Sequence, residues 1–188
     1  MTDPTPDDLI GASRGRTVDG VAAECEGTRV FNTILGIPAH PLLIHAAVVF
    51  IPLLIIGAIV FAVWPQSRSK IGWAVAALAI IGPISALFAK LSGQNLRQHL
   101  IDEHFSGTIL TKIDQHMSYG NMTLWWTIGL GVTTLAIVGY VWRARPGSKD
   151  STAVRAASIV LTIGIGAVAG YYVFRTGDTG AHIVWSGI

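Results

Sequence analysis

The fold of this chain is decided by residues 41–64, PLLIHAAVVFIPLLIIGAIVFAVW, which hold no Asp, Glu, Lys or Arg from Pro41 to Trp64. At about 1.5 Å of rise per helical residue, a run of this length crosses a hydrocarbon core of about 30 Å. Three further runs share its character, at about 71–91, 122–142 and 153–174. The second ends on Lys90, whose long stem can reach the interface, and the fourth carries Arg155 near its start. The expected fold class is all-α: an integral membrane four-helix bundle over residues 31–188, with a short interfacial N-terminal segment. Pro52 and the pair Gly82-Pro83 predict kinks, because a proline inside a helix removes one backbone hydrogen bond.

Composition agrees. Of the 188 residues, 51% are hydrophobic and 13% charged, against about 45–50% and about 25% in soluble domains. Mean hydropathy is +0.54. Apart from Lys90 and Arg155 near their ends, the four runs carry no charge, which is concentrated between them. A net charge of +2 is too small to argue for nucleic acid as a partner; the lipid bilayer accounts for basic residues beside the spans. Cys25, the single cysteine, allows no internal disulfide. Residues 1–30 form a polar acidic tail without the basic start and apolar core of a secretory signal. Residues 17–36 are mildly apolar and predict a short interfacial helix.

Trp64, Trp73, Trp125, Trp126, Tyr140, Trp142, Tyr171 and Tyr172 mark the span ends as an aromatic belt. Gly166 and Gly170 give the fourth span a small face suited to packing within the bundle. The short loops 65–70 and 143–152 carry Arg68, Lys70, Arg143, Arg145 and Lys149. The excess of Lys and Arg predicts that these loops are cytoplasmic and that the termini and a long loop, 92–120, are outside. A bacterial plasma membrane is the expected location.

All six histidines then fall on one side. His40 and His45 open the first span, His99, His104 and His116 lie before the third, and His182 follows the fourth. For His40, His99 and His104 the expectation is solvated or headgroup-facing side chains. An ionisable residue inside an apolar span is costly, which makes His45 a candidate site residue. His40 and His45 are five apart, about 140° around a helix, so a regular helix cannot aim both at one site. His116 sits near Asp114, which can either orient the ring or cap a helix.

At these residues the chain resembles a family. Gly36-Ile37-Pro38-Ala39-His40-Pro41-Leu42-Leu43-Ile44-His45 resembles the opening motif of the small four-helix membrane family called domain of unknown function 2231. Ser92-Gly93-Gln94-Asn95-Leu96 resembles its Ser-Gly-Glu segment, and His116 with Gly120 its His-x-x-x-Gly. Thr176-Gly177-Asp178-Thr179-Gly180-Ala181 resembles its closing Thr-Gly-x-x-Gly-Ala. The likeness covers about residues 30–188, in order. Ile37 and Gln94 depart from a histidine and a glutamate common in the family. The resemblance implies His40 as a turn beside Pro41. It also implies a link to membrane redox chemistry, because some members are joined to Rieske-type iron–sulfur domains.

Three functions fit this sequence. In the first, His45 and His116 are axial ligands of haem b in an electron-transfer subunit, with Lys90, Arg97 or Arg175 on the propionates. In the second, the chain is a non-catalytic accessory or assembly subunit of a larger membrane complex, with other membrane subunits or a redox partner. In the third, outer-face histidines bind or transport a metal. No Cys-x-x-Cys, methionine cluster or His-Glu-x-x-His is present to strengthen that third reading. Catalysis is not expected. Ser92, Ser106, Ser118 and Ser186 lie in no nucleophile-elbow context, and no glycine-rich phosphate loop exists.

Overall fold

A computed structural model describes residues 33–34, 37–104, 107–143 and 151–185. The expectations for the tail 1–30 and for Cys25 lie outside these residues. So does most of the interfacial helix expected over 17–36. At its described end the backbone is extended instead: β1 (Thr33–Ile34) pairs antiparallel with β2 (Ile37–Pro38).

Four helices follow. They are α1 (Ala39–Val63), α2 (Arg68–Asp102), α3 (Thr108–Arg143) and α4 (Thr152–Trp185), with a 3-10 turn at Pro65–Ser67 between the first two. All four are long and apolar enough to cross a membrane. Short connections make successive helices antiparallel. Each packs on its sequence neighbours and α4 returns to α1, so α1 and α3 are diagonal partners. The chain is an all-α, four-helix membrane bundle.

Three apolar layers fill it. Ala47, Ile51, Ala86 and Leu124 form the first, Leu54, Ala58, Ala79 and Leu130 the second, and Phe61, Val75 and Val138 the third. A close helix approach lies beside the second. A Cβ on Gly131 would stand 2.6 Å from the carbonyl oxygen of Ala79 and 3.1 Å from Cγ of Pro83. These two contacts share one cause. Pro83 has no N–H to give the carbonyl four residues earlier, which is that of Ala79. The freed carbonyl faces α3, and only glycine lets α3 come this near. Gly166 and Gly170 of α4 face Ile55 of α1, so the small-residue face serves packing inside the bundle.

At the end bearing the short loops, cations cap the carbonyls left open by the last turn of α1. Buried Arg68 donates from Nε to the carbonyl of Phe61 at 2.9 Å and from Nη2 to that of Ala62 at 3.2 Å. Arg155 donates to the carbonyl of Val63 at 3.3 Å. Arg145 and Lys149 lie outside the described residues.

The other end corrects the sequence reading. Residues 92–120 are not a long loop: α2 continues to Asp102 and α3 begins at Thr108. Helices α2, α3 and α4, of 35, 36 and 34 residues, are each about 50 Å long, well beyond a core of about 30 Å. All the excess projects at the histidine end, whereas α1, of 25 residues, starts there. The overhang is polar but helical, because once outside the hydrocarbon a helix can carry charge on its surface. Cross-links hold it: Arg97 Nε to Asp114 Oδ1 at 2.6 Å and Lys90 Nζ to Asn121 Oδ1 at 2.7 Å join α2 to α3. His104, at φ 66, breaks α2 off in the left-handed region, with its N–H on the carbonyl of Ile101.

Candidate functional site

The structure brings together two histidines, one from the first turn of α1 and one from α3. His40 and His116 are both half-buried at the histidine end of the bundle. His40 Nδ1 lies 2.8 Å from Ser92 Oγ on α2, and Ser92 Oγ is 2.9 Å from the carbonyl oxygen of Ala89. Both bonds form at once only if Ser92 donates to Ala89 and the ring donates to Ser92. His116 repeats the arrangement on α4. Its Nδ1 lies 3.2 Å from Thr179 Oγ1, which is itself 2.8 Å from the carbonyl oxygen of Arg175. Again the hydroxyl proton is committed to the helix, and the ring donates. With these partners the neutral His40 ring carries its proton on Nδ1 and its lone pair on Nε2, and His116 donates to an α4 acceptor set that also includes the backbone carbonyl of Thr176.

Two glycines seat the rings. A Cβ on Gly93 would stand 3.2 Å from Cε1 of His40, and one on Gly180 would stand 3.0 Å from Cε1 of His116. Below the rings, Thr123 Oγ1 and Thr176 Oγ1 are 2.9 Å apart and tie α3 to α4. Burial holds His40 below its usual pKa, and repulsion from a charge on His116 lowers it further.

The remaining residues picked out in the sequence are dispersed. His45 is exposed on another face of α1, as the 140° separation from His40 requires once His40 points inward. Asp114 neither caps α3 nor touches His116. It lies nearly two turns inside the helix and holds Arg97 through both oxygens, at 2.6 and 3.3 Å. Gly120 lies near Thr176, its notional Cβ 3.8 Å from the Thr176 methyl, and Gly177 faces open space. His99 pairs with Glu103 at 3.3 Å on the surface. His182 lies 2.9 Å from the carbonyl oxygen of Asp178 in the last turns of α4. Among the described residues no three His, Cys, Asp or Glu side chains are grouped to hold a metal ion.

Residues 36–187 match the family described as "Predicted membrane protein (DUF2231)". The chain belongs to this family. No curated protein and no solved structure is similar enough to match. The segments that carry the DUF2231 likeness sit on four different helices. At one end of the bundle they meet as ring, hydroxyl and glycine: His40 with Ser92 and Gly93, and His116 with Thr179 and Gly180. Thr179 had not been singled out as a site residue. Its signal was its spacing, since Thr176, Thr179 and Gly180 share one helix face at i, i+3 and i+4.

Proposed function

We propose that the protein is a redox-linked accessory subunit of the membrane, and that His40 and His116 hold an iron cofactor, haem b, through their Nε2 atoms. The observation that carries this reading is the paired Nδ1–H bonding of the two rings. Ligating histidines are oriented by donating the other ring nitrogen to an acceptor, which fixes the tautomer and makes the free nitrogen more basic. The donor count points the same way. An ion in a structural site takes about four protein ligands, and among the described residues two are grouped here. Haem supplies four nitrogens of its own and asks the protein for two. His40 replaces His45 as the partner of His116. Positive-inside reasoning puts this end outside, with residues 65–70 in the cytoplasm.

The seating of both rings against Gly93 and Gly180 favours a second reading, a small metal ion shared by the two Nε2 atoms. One preparation separates the two. Protein purified from membranes without a histidine tag, with haem supplied during expression, is examined by absorption and by metal analysis. The haem reading expects a Soret band that His40→Ala and His116→Ala abolish and His45→Ala keeps. Stoichiometric metal without a Soret band selects the ion. A Soret band that survives both substitutions, or the absence of either cofactor, refutes the histidine pair as a ligand site.

A further inference from the structure

A second polar feature lies beside the histidine pair, in the groove between α3 and α4. It has a volume of about 280 Å³ and a mostly polar lining that includes Lys112, Gln115, Arg175, Asp178, Thr179 and His182. Arg175 is the first cation after the apolar run that ends at Phe174, so its guanidinium stands where hydrocarbon gives way to headgroups.

That guanidinium is positioned by its neighbours but is not saturated. Its carbon lies 5.0 Å from the centre of the Tyr119 ring, and Nη2 donates to the Tyr119 hydroxyl at 3.2 Å. Nη1 reaches Asp178 Oδ2 only at 3.4 Å, long for a charge-assisted bond of about 2.7–2.9 Å. Nε is buried without a hydrogen-bond partner among the described residues. Arginine has five N–H donors in a fixed fork. Two are engaged here, both at long range, by one phenol and one carboxylate. Lys112, farther along the groove from the membrane, adds a second positive charge, against the single carboxylate of Asp178.

We propose that this groove binds a phosphate-bearing anion, the headgroup of an anionic phospholipid, with Arg175 as the principal phosphate ligand and Lys112 as the second cation. Depth selects the lipid over a free anion. The phosphate of a bilayer lipid already lies at the level of Arg175, and its acyl chains would continue down the apolar seam of α3 and α4. Gln115 and the outer part of the groove would face the polar head beyond the phosphate. Basic pockets between membrane helices bind anionic headgroups by this combination of charge and depth. The site does not depend on what the histidines hold.

The test is native mass spectrometry of the full chain in detergent, with phosphatidylglycerol, phosphatidylcholine or inorganic phosphate added. Wild-type protein retains phosphatidylglycerol in preference to phosphatidylcholine. Arg175→Gln and Lys112→Gln each weaken that retention about fivefold, the effect of one surface cation, and Lys70→Gln at the opposite end leaves it unchanged. Lys112 is exposed, so its variant reads binding even if the Arg175 variant folds poorly. Equal retention of the two lipids, or undiminished phosphatidylglycerol binding by both variants, overturns the site. Displacement of the lipid by inorganic phosphate overturns the lipid assignment in favour of a soluble anion.

Discussion

Gly180→Ala is the mildest change that reaches the histidine pair, since it alters no polar atom. The added methyl carbon would stand 3.0 Å from Cε1 and 3.3 Å from Nδ1 of His116. Carbon atoms pack best at about 3.5–4.0 Å, so the ring must retreat by about 0.5–1 Å. Its bond to Thr179, already 3.2 Å long, then passes the limit of about 3.2 Å for a good N–H···O bond. Overpacking of this kind costs about 1–3 kcal/mol. The replacement of glycine inside a helix returns about 1 kcal/mol, leaving a net loss of about 0–2 kcal/mol. Gly177→Ala is the matched control: it lies on the same helix, one turn earlier, with nothing within 4 Å of the new methyl. It should be neutral or slightly stabilising. Unfolding in mild detergent titrated with SDS, followed by circular dichroism, measures both. Nitrogen-15 spectra of the imidazoles report whether His116 has lost its Nδ1–H partner. If Gly180→Ala is as stable as Gly177→Ala and the His116 ring signals do not move, the seating of His116 against α4 is wrong.

Gly131→Ala should destabilise by about 1–3 kcal/mol, because its methyl meets a helix carbonyl at 2.6 Å, whereas Gly139→Ala, with open space around it, should not; the same SDS titration compares them. Ser92→Ala removes the acceptor of His40 Nδ1–H. It should cost about 1–3 kcal/mol for a buried donor left unpaired, and Ser92→Thr should restore most of it. The pH dependence has a definite sign. The folded value of His40 lies below the ordinary one of about 6.5, so between the two the unfolded chain binds more protons than the folded one. Stability is then held above about pH 6.5 and falls as pH drops through and below that value, and His40→Gln should flatten the slope of the unfolding midpoint against pH.

The sequence made the four spans legible because hydropathy reports where a helix meets hydrocarbon. It did not report where each helix ends, and three of the four run on by about ten residues. Nothing in the overhang forbids a helix: it has no proline, and Arg97 and Asp114 find each other across α2 and α3. His45 drew attention for its depth, but depth says nothing of direction around the axis. Direction could be read only from a buried stripe, and α1 is apolar on every face, so its sequence hides one. In the structure the stripe is plain: Ala47, Leu54 and Phe61 are buried at spacings of seven, and one step of seven back from Ala47 is His40. The position in register was therefore His40. The ring contacts of Ser92, and Thr179 itself, were hidden for another reason. A serine or threonine in a helix usually bonds back to its own backbone, as these do, and only the tertiary structure shows the lone pair that remains.

Several influences combine on the charge state of His40. It lies in the first turn of α1, where the exposed N–H groups of the helix repel a positive ring. It is half-buried, and His116 is near enough to oppose its charging. Asp114 and Asp178, overhang carboxylates that could have balanced an imidazolium, are engaged instead by Arg97 and by Arg175 and His182. The surroundings thus favour a neutral ring at neutral pH, and the hydroxyl partners turn that neutrality into two directed lone pairs. A cofactor bound there would displace no proton above about pH 7, so its affinity should be flat at alkaline pH and should fall only as the two rings begin to protonate. A purely structural histidine pair gives no such link. Cofactor occupancy and the unfolding midpoint should therefore fall together on acidification, and occupancy that stays constant while stability drops would separate the cofactor from these two rings.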